Sequence, residues 1–250
     1  MRQRRRAAAL AAVALTAAAA TLVLLARDDE DRTGPQWRER VQRTPPRAAV
    51  RARRGPFGAR LLRPVLLRDR PGGRMLRSLG RRTEFGSEHV LAVVGQRPGW
   101  LAVLTHHLPN SRAGWIPADG AQLLYEPYTL HVDLSARSLV VRHRGHVARR
   151  IAVAIGRAGA ATPTGRFAVT DTLVTQRAGS PYGCCALALT GRQPNVPQGW
   201  TGGDRLAIHG TPDERSIGTR ATSGCLRAAR ADMRWLVVRV PLGSPVRIRA

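Results

Sequence analysis

Tyr128-Thr129-Leu130-His131-Val132-Asp133-Leu134 alternates apolar and polar side chains, with Leu130, Val132 and Leu134 at every second position. That period of two belongs to a strand with one buried face. Working outward, the same reading predicts strands over 138–142, 146–155 and 165–170. In the 146–155 run both faces are expected to be partly covered. One helix is expected over 228–238, and Val240-Pro241-Leu242-Gly243-Ser244-Pro245-Val246-Arg247-Ile248 reads as a turn and a closing strand. The fold class is therefore mainly β, with one or two short helices.

Upstream, from 60 to 125, short apolar runs such as Val90-Leu91-Ala92-Val93-Val94-Gly95 and Trp100-Leu101-Ala102-Val103-Leu104 alternate with turn residues. Arg70-Pro71-Gly72-Gly73 and Arg97-Pro98-Gly99 are two of those turns. Short strands at this spacing make a small β-barrel. The region resembles bacterial SH3-like domains, in which a Gly-Trp-Leu/Ile strand recurs. Gly99-Trp100-Leu101 and Gly114-Trp115-Ile116 have that form. The resemblance implies a packing or spacer module, or one that binds wall peptides.

The 250-residue chain carries 41 basic against 16 acidic residues, a formal net charge of +25, and all of the basic residues are arginine. Mutational bias toward Arg codons is one account. Whatever its origin, such a charge attracts polyanions: nucleic acid in a cytoplasm, anionic lipid or acidic wall polymer outside one. Residues 1–6 form a basic n-region and 7–26 an uncharged apolar run about as long as a membrane helix needs. We expect a transmembrane signal anchor at 7–26 that leaves the N-terminus inside and exports the rest to the cell envelope. Cleavage within 17–20, releasing the protein toward the wall, is the alternative. Residues 27–58, rich in Arg and Pro, read as a disordered linker.

Three cysteines in an exported chain do not make a disulfide scaffold. Cys184 and Cys185 are adjacent and read as packed small hydrophobes, in preference to a strained vicinal disulfide. Cys225 stands in Thr222-Ser223-Gly224-Cys225-Leu226-Arg227, with Ile208-His209-Gly210-Thr211 upstream. A thiol in a small-residue turn, an imidazole within reach and free backbone N–H groups are what acyl transfer through a thioester requires.

At these residues the stretch from 128 to 250 resembles the L,D-transpeptidase catalytic domain, the YkuD type. Three segments carry the likeness: Ala161-Thr162-Pro163-Thr164-Gly165-Arg166-Phe167, Ile208-His209-Gly210-Thr211 and Ser223-Gly224-Cys225-Leu226-Arg227, followed by Asp232 in the expected helix. The resemblance implies a β-sandwich, Cys225 as nucleophile and His209 as general base and acid. It implies Ser223, Gly224, Gly210 and Thr211 in oxyanion or orienting roles, and Arg227 and Tyr182 in substrate binding. It further implies a tetrapeptide stem of peptidoglycan as donor and a 3→3 cross-link as product. The usual motif is Ser/Thr-His-Gly-Cys, and here Ser223 replaces the histidine, which puts full activity in question. Rival readings are an L,D-carboxypeptidase, where water resolves the thioester, and a catalytically weak wall-binding protein. A nucleic-acid binder has only charge in its favour, so no specific nucleic acid is expected. His106-His107 lacks a third ligand, and no metal or cofactor is expected; His131, His143 and His146 read as ordinary strand residues.

Overall fold

A computed structural model describes residues 37–39, 56–175, 179–195 and 203–250. The expected anchor and most of the expected linker lie outside these residues. Among the described residues, no helix is long and apolar enough to cross a membrane.

The first sheet has seven strands: β2 (Phe57–Leu61), β3 (Val65–Arg68), β4 (Met75–Leu79), β5 (Val90–Arg97), β6 (Trp100–Leu104), β7 (Ala113–Pro117) and β8 (Ala121–Tyr125). They run in the order β4-β3-β7-β6-β5-β2-β8 and pair antiparallel throughout. Leu67, Leu79, Leu91, Val103 and Ile116 close a core of their own. The sheet starts at Phe57, slightly earlier than the sequence pattern suggested, because Phe57 and Gly58 already pair with Tyr125 and Leu124.

The second sheet has nine strands. Its path runs β11 (His146–Ala152), β10 (Ser138–His143), β9 (Tyr128–Asp133), β18 (Pro245–Arg249), β13 (Gly165–Thr175), β14 (Cys185–Arg192), β15 (Arg205–His209), β17 (Leu226–Arg227). β1 (Trp37–Glu39) pairs with Leu173–Thr175 at the far end of β13, inside the stretch expected as linker. The alternation that began the sequence reading is visible in β9, where Leu130 and Val132 are buried and His131 is exposed. The 146–155 run is broken: β11 ends at Ala152 and β12 (Ile155–Gly156) turns to pair parallel with β16 (Arg220–Thr222).

The helix α1 (Arg230–Arg239) lies on the core side of this sheet, with Met233, Leu236 and Val237 buried. Asp232 in its first turn and Arg239 in its last suit the helix dipole. Asp232 also ties the helix to the sheet through Arg149 at 2.6 Å, and Glu214 caps it by accepting from the Arg230 N–H at 2.7 Å.

Candidate active site

β15 delivers His209 and β17 follows Cys225, and the two strands are parallel neighbours with Ile208 opposite Leu226 and His209 opposite Arg227. Ile208 and Leu226 are fully buried in the core. Side chains alternate across a strand, so His209, Cys225 and Arg227 share the opposite face. This register brings a thiol and an imidazole sixteen positions apart in sequence onto one surface.

The imidazole is fixed in a single tautomer. His209 Nδ1 lies 2.6 Å from the Gly210 carbonyl, which can only accept, so Nδ1 carries the proton and Nε2 keeps its lone pair. Burial lowers His209 from 6.5 to about 4; the Gly210 carbonyl opposes this and the Arg227 guanidinium adds to it. Burial likewise pushes the Cys225 thiol up, against the Ala207 backbone N–H and Arg227, which pull it down. The resting pair is therefore neutral thiol and neutral imidazole. The thiol donates to the Arg205 carbonyl at 3.8 Å.

Two glycines are required here by geometry. Gly224 has φ +117° and a Cβ there would run into the Gln193 carboxamide, so only glycine makes this turn without strain. Gly183 (φ +64°) sits with its Cα against the Gly210 and Thr211 backbone. Thr222 cinches the loop: its hydroxyl accepts from the Gly224 N–H at 3.1 Å and donates to the Cys225 carbonyl at 2.6 Å. The Gly224 N–H is thus committed, whereas those of Ser223 and Cys225 meet no protein acceptor among the described residues.

The other candidates divide. Tyr182 comes to the site, its ring edge-on to His209 with centroids 5.0 Å apart. Its hydroxyl is pushed up to about 12 by burial and then by the Cys225 charge, so it stays protonated. Arg227 reaches the pair electrostatically, and its Nε is buried without a hydrogen-bond partner among the described residues. The Thr211 hydroxyl bonds the Asp213 backbone, accepting from its N–H at 3.1 Å and donating to its carbonyl at 3.3 Å. Ser223 turns outward and its hydroxyl accepts from Arg157 at 2.8 Å. Cys184 and Cys185 correct the expectation of two packed thiols, because they are joined as a vicinal disulfide. The Cys185 carbonyl accepts from the Gly210 N–H at 3.0 Å, so this segment backs the imidazole.

Sequence reasoning missed Gln193 and Arg205. Gln193 is buried, donates to the Ala160 and Ala161 carbonyls at 3.3 and 2.9 Å, and walls the cysteine turn. Arg205 anchors the start of β15. Its side chain donates to the Leu189 carbonyl at 3.0 Å and Thr170 at 2.7 Å, and pairs with Glu84 from the first sheet. Nothing in the local sequence marks either residue, since both partners are remote.

Residues 127–248 match the family model of the L,D-transpeptidase catalytic domain, YkuD. Proteins named as L,D-transpeptidase YkuD in Bacillus subtilis (strain 168) and Bacillus licheniformis (strain ATCC 14580) are each 29% identical over 122 residues. That match covers 49% of this chain and 66% of each relative, just under two thirds of their length. Among solved structures, an L,D-transpeptidase from Mycobacterium smegmatis is 19% identical, with 55% of this chain and 73% of that one covered and a TM-score of 0.39. The L,D-transpeptidase of Xylanimonas cellulosilytica DSM 15894 is 24% identical, covering 50% and 61%, with a TM-score of 0.36. The matched stretch contains Cys225, His209, Tyr182, Gln193 and Arg227 alike. Among the described residues no cluster of His, Cys, Asp and Glu could hold a metal.

Proposed function

We propose that the chain is an L,D-transpeptidase of the cell envelope, working through a thioester at Cys225. The observation that supports this reading most is the strand register that pairs His209 with Arg227, two residues past Cys225, together with the Gly210 carbonyl that holds Nδ1–H and leaves the lone pair on Nε2. Because both groups rest neutral, the proton passes during attack rather than before it. Nε2 takes the Sγ proton as sulfur adds to an amide carbonyl, and the Ser223 and Cys225 N–H groups hold the oxyanion. Each such donor is worth roughly 2.7–4 kcal/mol. His209 then gives the proton to the leaving amine, and a second amine opens the thioester. Arg227 favours the thiolate-like transition state and pairs with a substrate carboxylate.

By resemblance, the donor is a tetrapeptide stem of peptidoglycan that loses D-alanine, and the product is a 3→3 cross-link. Residues 60–125 serve as an SH3-like module, and 7–26 as the anchor that holds the enzyme at the membrane. Ser223, held by Arg157, replaces the usual histidine without removing the base. The test is to incubate the protein with a tetrapeptide stem, with and without an amine acceptor. D-alanine release with cross-linked dimer supports transpeptidation. Release without dimer at saturating acceptor moves the assignment to a carboxypeptidase, and no release from wild type removes both.

A further inference from the structure

The solvent face of the second sheet, on the side away from α1, carries charges that catalysis does not use. Strand register places Arg166 opposite Arg247, Arg247 beside His131, His131 opposite Val140 and Val140 opposite Arg150. Arg166, Arg247, His131 and Arg150 are all exposed. Their neighbours along the strands, Phe167, Val246, Leu130, Val132, Leu139 and Ile151, are core, so the row faces outward as a set. Strands lie about 4.8 Å apart, and the row crosses β13, β18, β9, β10 and β11, a span of about 19 Å.

Arg142 and Arg249 flank the row. The charges of Arg142, Arg247 and Arg249, after burial, lower the His131 pKa, which places these guanidinium groups around the imidazole. The acid on this face, Asp133, is already held by Arg249 at 2.7 Å. Like charges directly across an antiparallel pair destabilise a sheet, and Arg166 opposite Arg247 is such a pair. Arg137 and Arg144, at the adjoining hairpin turns, take φ of +48° and +50°, positions where Gly or Asn fits more easily. The repulsion between Arg166 and Arg247 is the feature that a bound anion would relieve.

We infer that this arginine row is a docking surface for a linear polyanion bearing a phosphodiester at each repeat and no bases. The row is too long for a single small anion. Among large hydrophobics its strands expose only Val147, which gives a bilayer little to bury. The Tyr128 ring of β9 packs against Trp235, so among the described residues these strands expose no Phe, Tyr or Trp on which bases would stack. Neighbouring strands bring Arg166 and Arg247 close enough to fork one tetrahedral phosphate from two sides.

The probe is poly(glycerol phosphate) of defined length, titrated against the full chain at several salt concentrations. Poly-glutamate, single-stranded DNA and anionic lipid vesicles are the comparators. The triple variant Arg150→Gln/Arg166→Gln/Arg247→Gln is expected to lose at least about tenfold in affinity at about 100 mM salt. Its log K against log salt should flatten by about 2. An equal loss of charge from the first sheet, Arg70→Gln/Arg74→Gln/Arg77→Gln, should change affinity by no more than about twofold. Where the triple variant expresses poorly, Arg247→Gln alone, with the His131 imidazole resonance followed during titration, reads the same surface. Equal losses in both triples, or a His131 signal that ignores the polymer, would overturn the inference. So would tighter binding of DNA, vesicles or poly-glutamate than of poly(glycerol phosphate). Carbapenem acylation of the triple variant should match wild type, which separates this surface from the catalytic reading.

Discussion

Glu126, in the connection between β8 and β9, is 2% exposed and has one carboxyl oxygen, Oε2, without a partner among the described residues. It is wedged against Gly58 and Gly243, where a side chain on either glycine would strike it. Burial raises its pKa from 4.5 to about 8, with the nearby Ser244 hydroxyl pulling the other way. The folded state thus holds the proton more tightly than the unfolded state. Its contribution is full below about 4.5 and is lost as pH rises through about 8. At about 1.4 kcal/mol per pH unit, the full span corresponds to roughly 5 kcal/mol. The histidines act with the opposite sign: His209 and His107 at about 4, His106 at about 2, and His89 and His131, lowered as well, make stability rise with pH until their unfolded forms finish titrating, somewhat above 6.5. That rise is common to wild type and Glu126→Gln, so the difference between the two isolates Glu126, a loss of roughly 2 kcal/mol between pH 6.5 and 8. Urea unfolding of wild type and Glu126→Gln at pH 6.5 and 8.0 measures it. Across this interval wild type should lose roughly 2 kcal/mol relative to the Gln variant. An equal change in both would refute the argument.

Acylation of the protein by a carbapenem, followed against pH, should fall on the acid side through about 4, where His209 takes its proton, and not near 6.5. A limb at 6.5 would mean the imidazole is solvated in solution. Gly224→Ala forces a non-glycine residue into φ +117° and against Gln193. Calorimetry should show a cost of about 1–3 kcal/mol, and acylation should slow by at least about tenfold. Glu84→Ala strips a partner from Arg205, whose side chain is only 11% exposed. We expect a loss of up to about 3 kcal/mol by denaturant midpoint, less than for a fully buried pair because Glu84 is 43% exposed. An unchanged midpoint would show that the two sheets do not depend on this clasp.

Much of the fold was readable locally. The alternation in β9 and the Pro-Gly turns of the first sheet depend on nearest neighbours, and they appear where the pattern put them. The break at Ala152 was not readable, because Ile155 leaves the sheet only to meet Arg220. At the candidate site, Cys225 and His209 stand in recognisable short segments, but what surrounds them comes from far away in sequence. Gln193 is needed because Gly224 presses on it, and Arg205 because Glu84 reaches it from the other sheet. Thr211 shows the same limit, because the Asp213 backbone that holds its hydroxyl is not marked by the motif. Adjacency in sequence allows Cys184 and Cys185 to be either two thiols or a disulfide, and the structure joins them.

The most direct test of a Cys225 thioester enzyme is the intact mass of the full chain after incubation with a carbapenem, beside Cys225→Ala. β-Lactams of that class acylate the cysteine of the family that this domain resembles. The account predicts a single covalent adduct on wild type and none on the variant. An unmodified wild-type protein whose Cys225 still reacts with a simple alkylating agent would contradict it, because an open thiol would then lack a working oxyanion site.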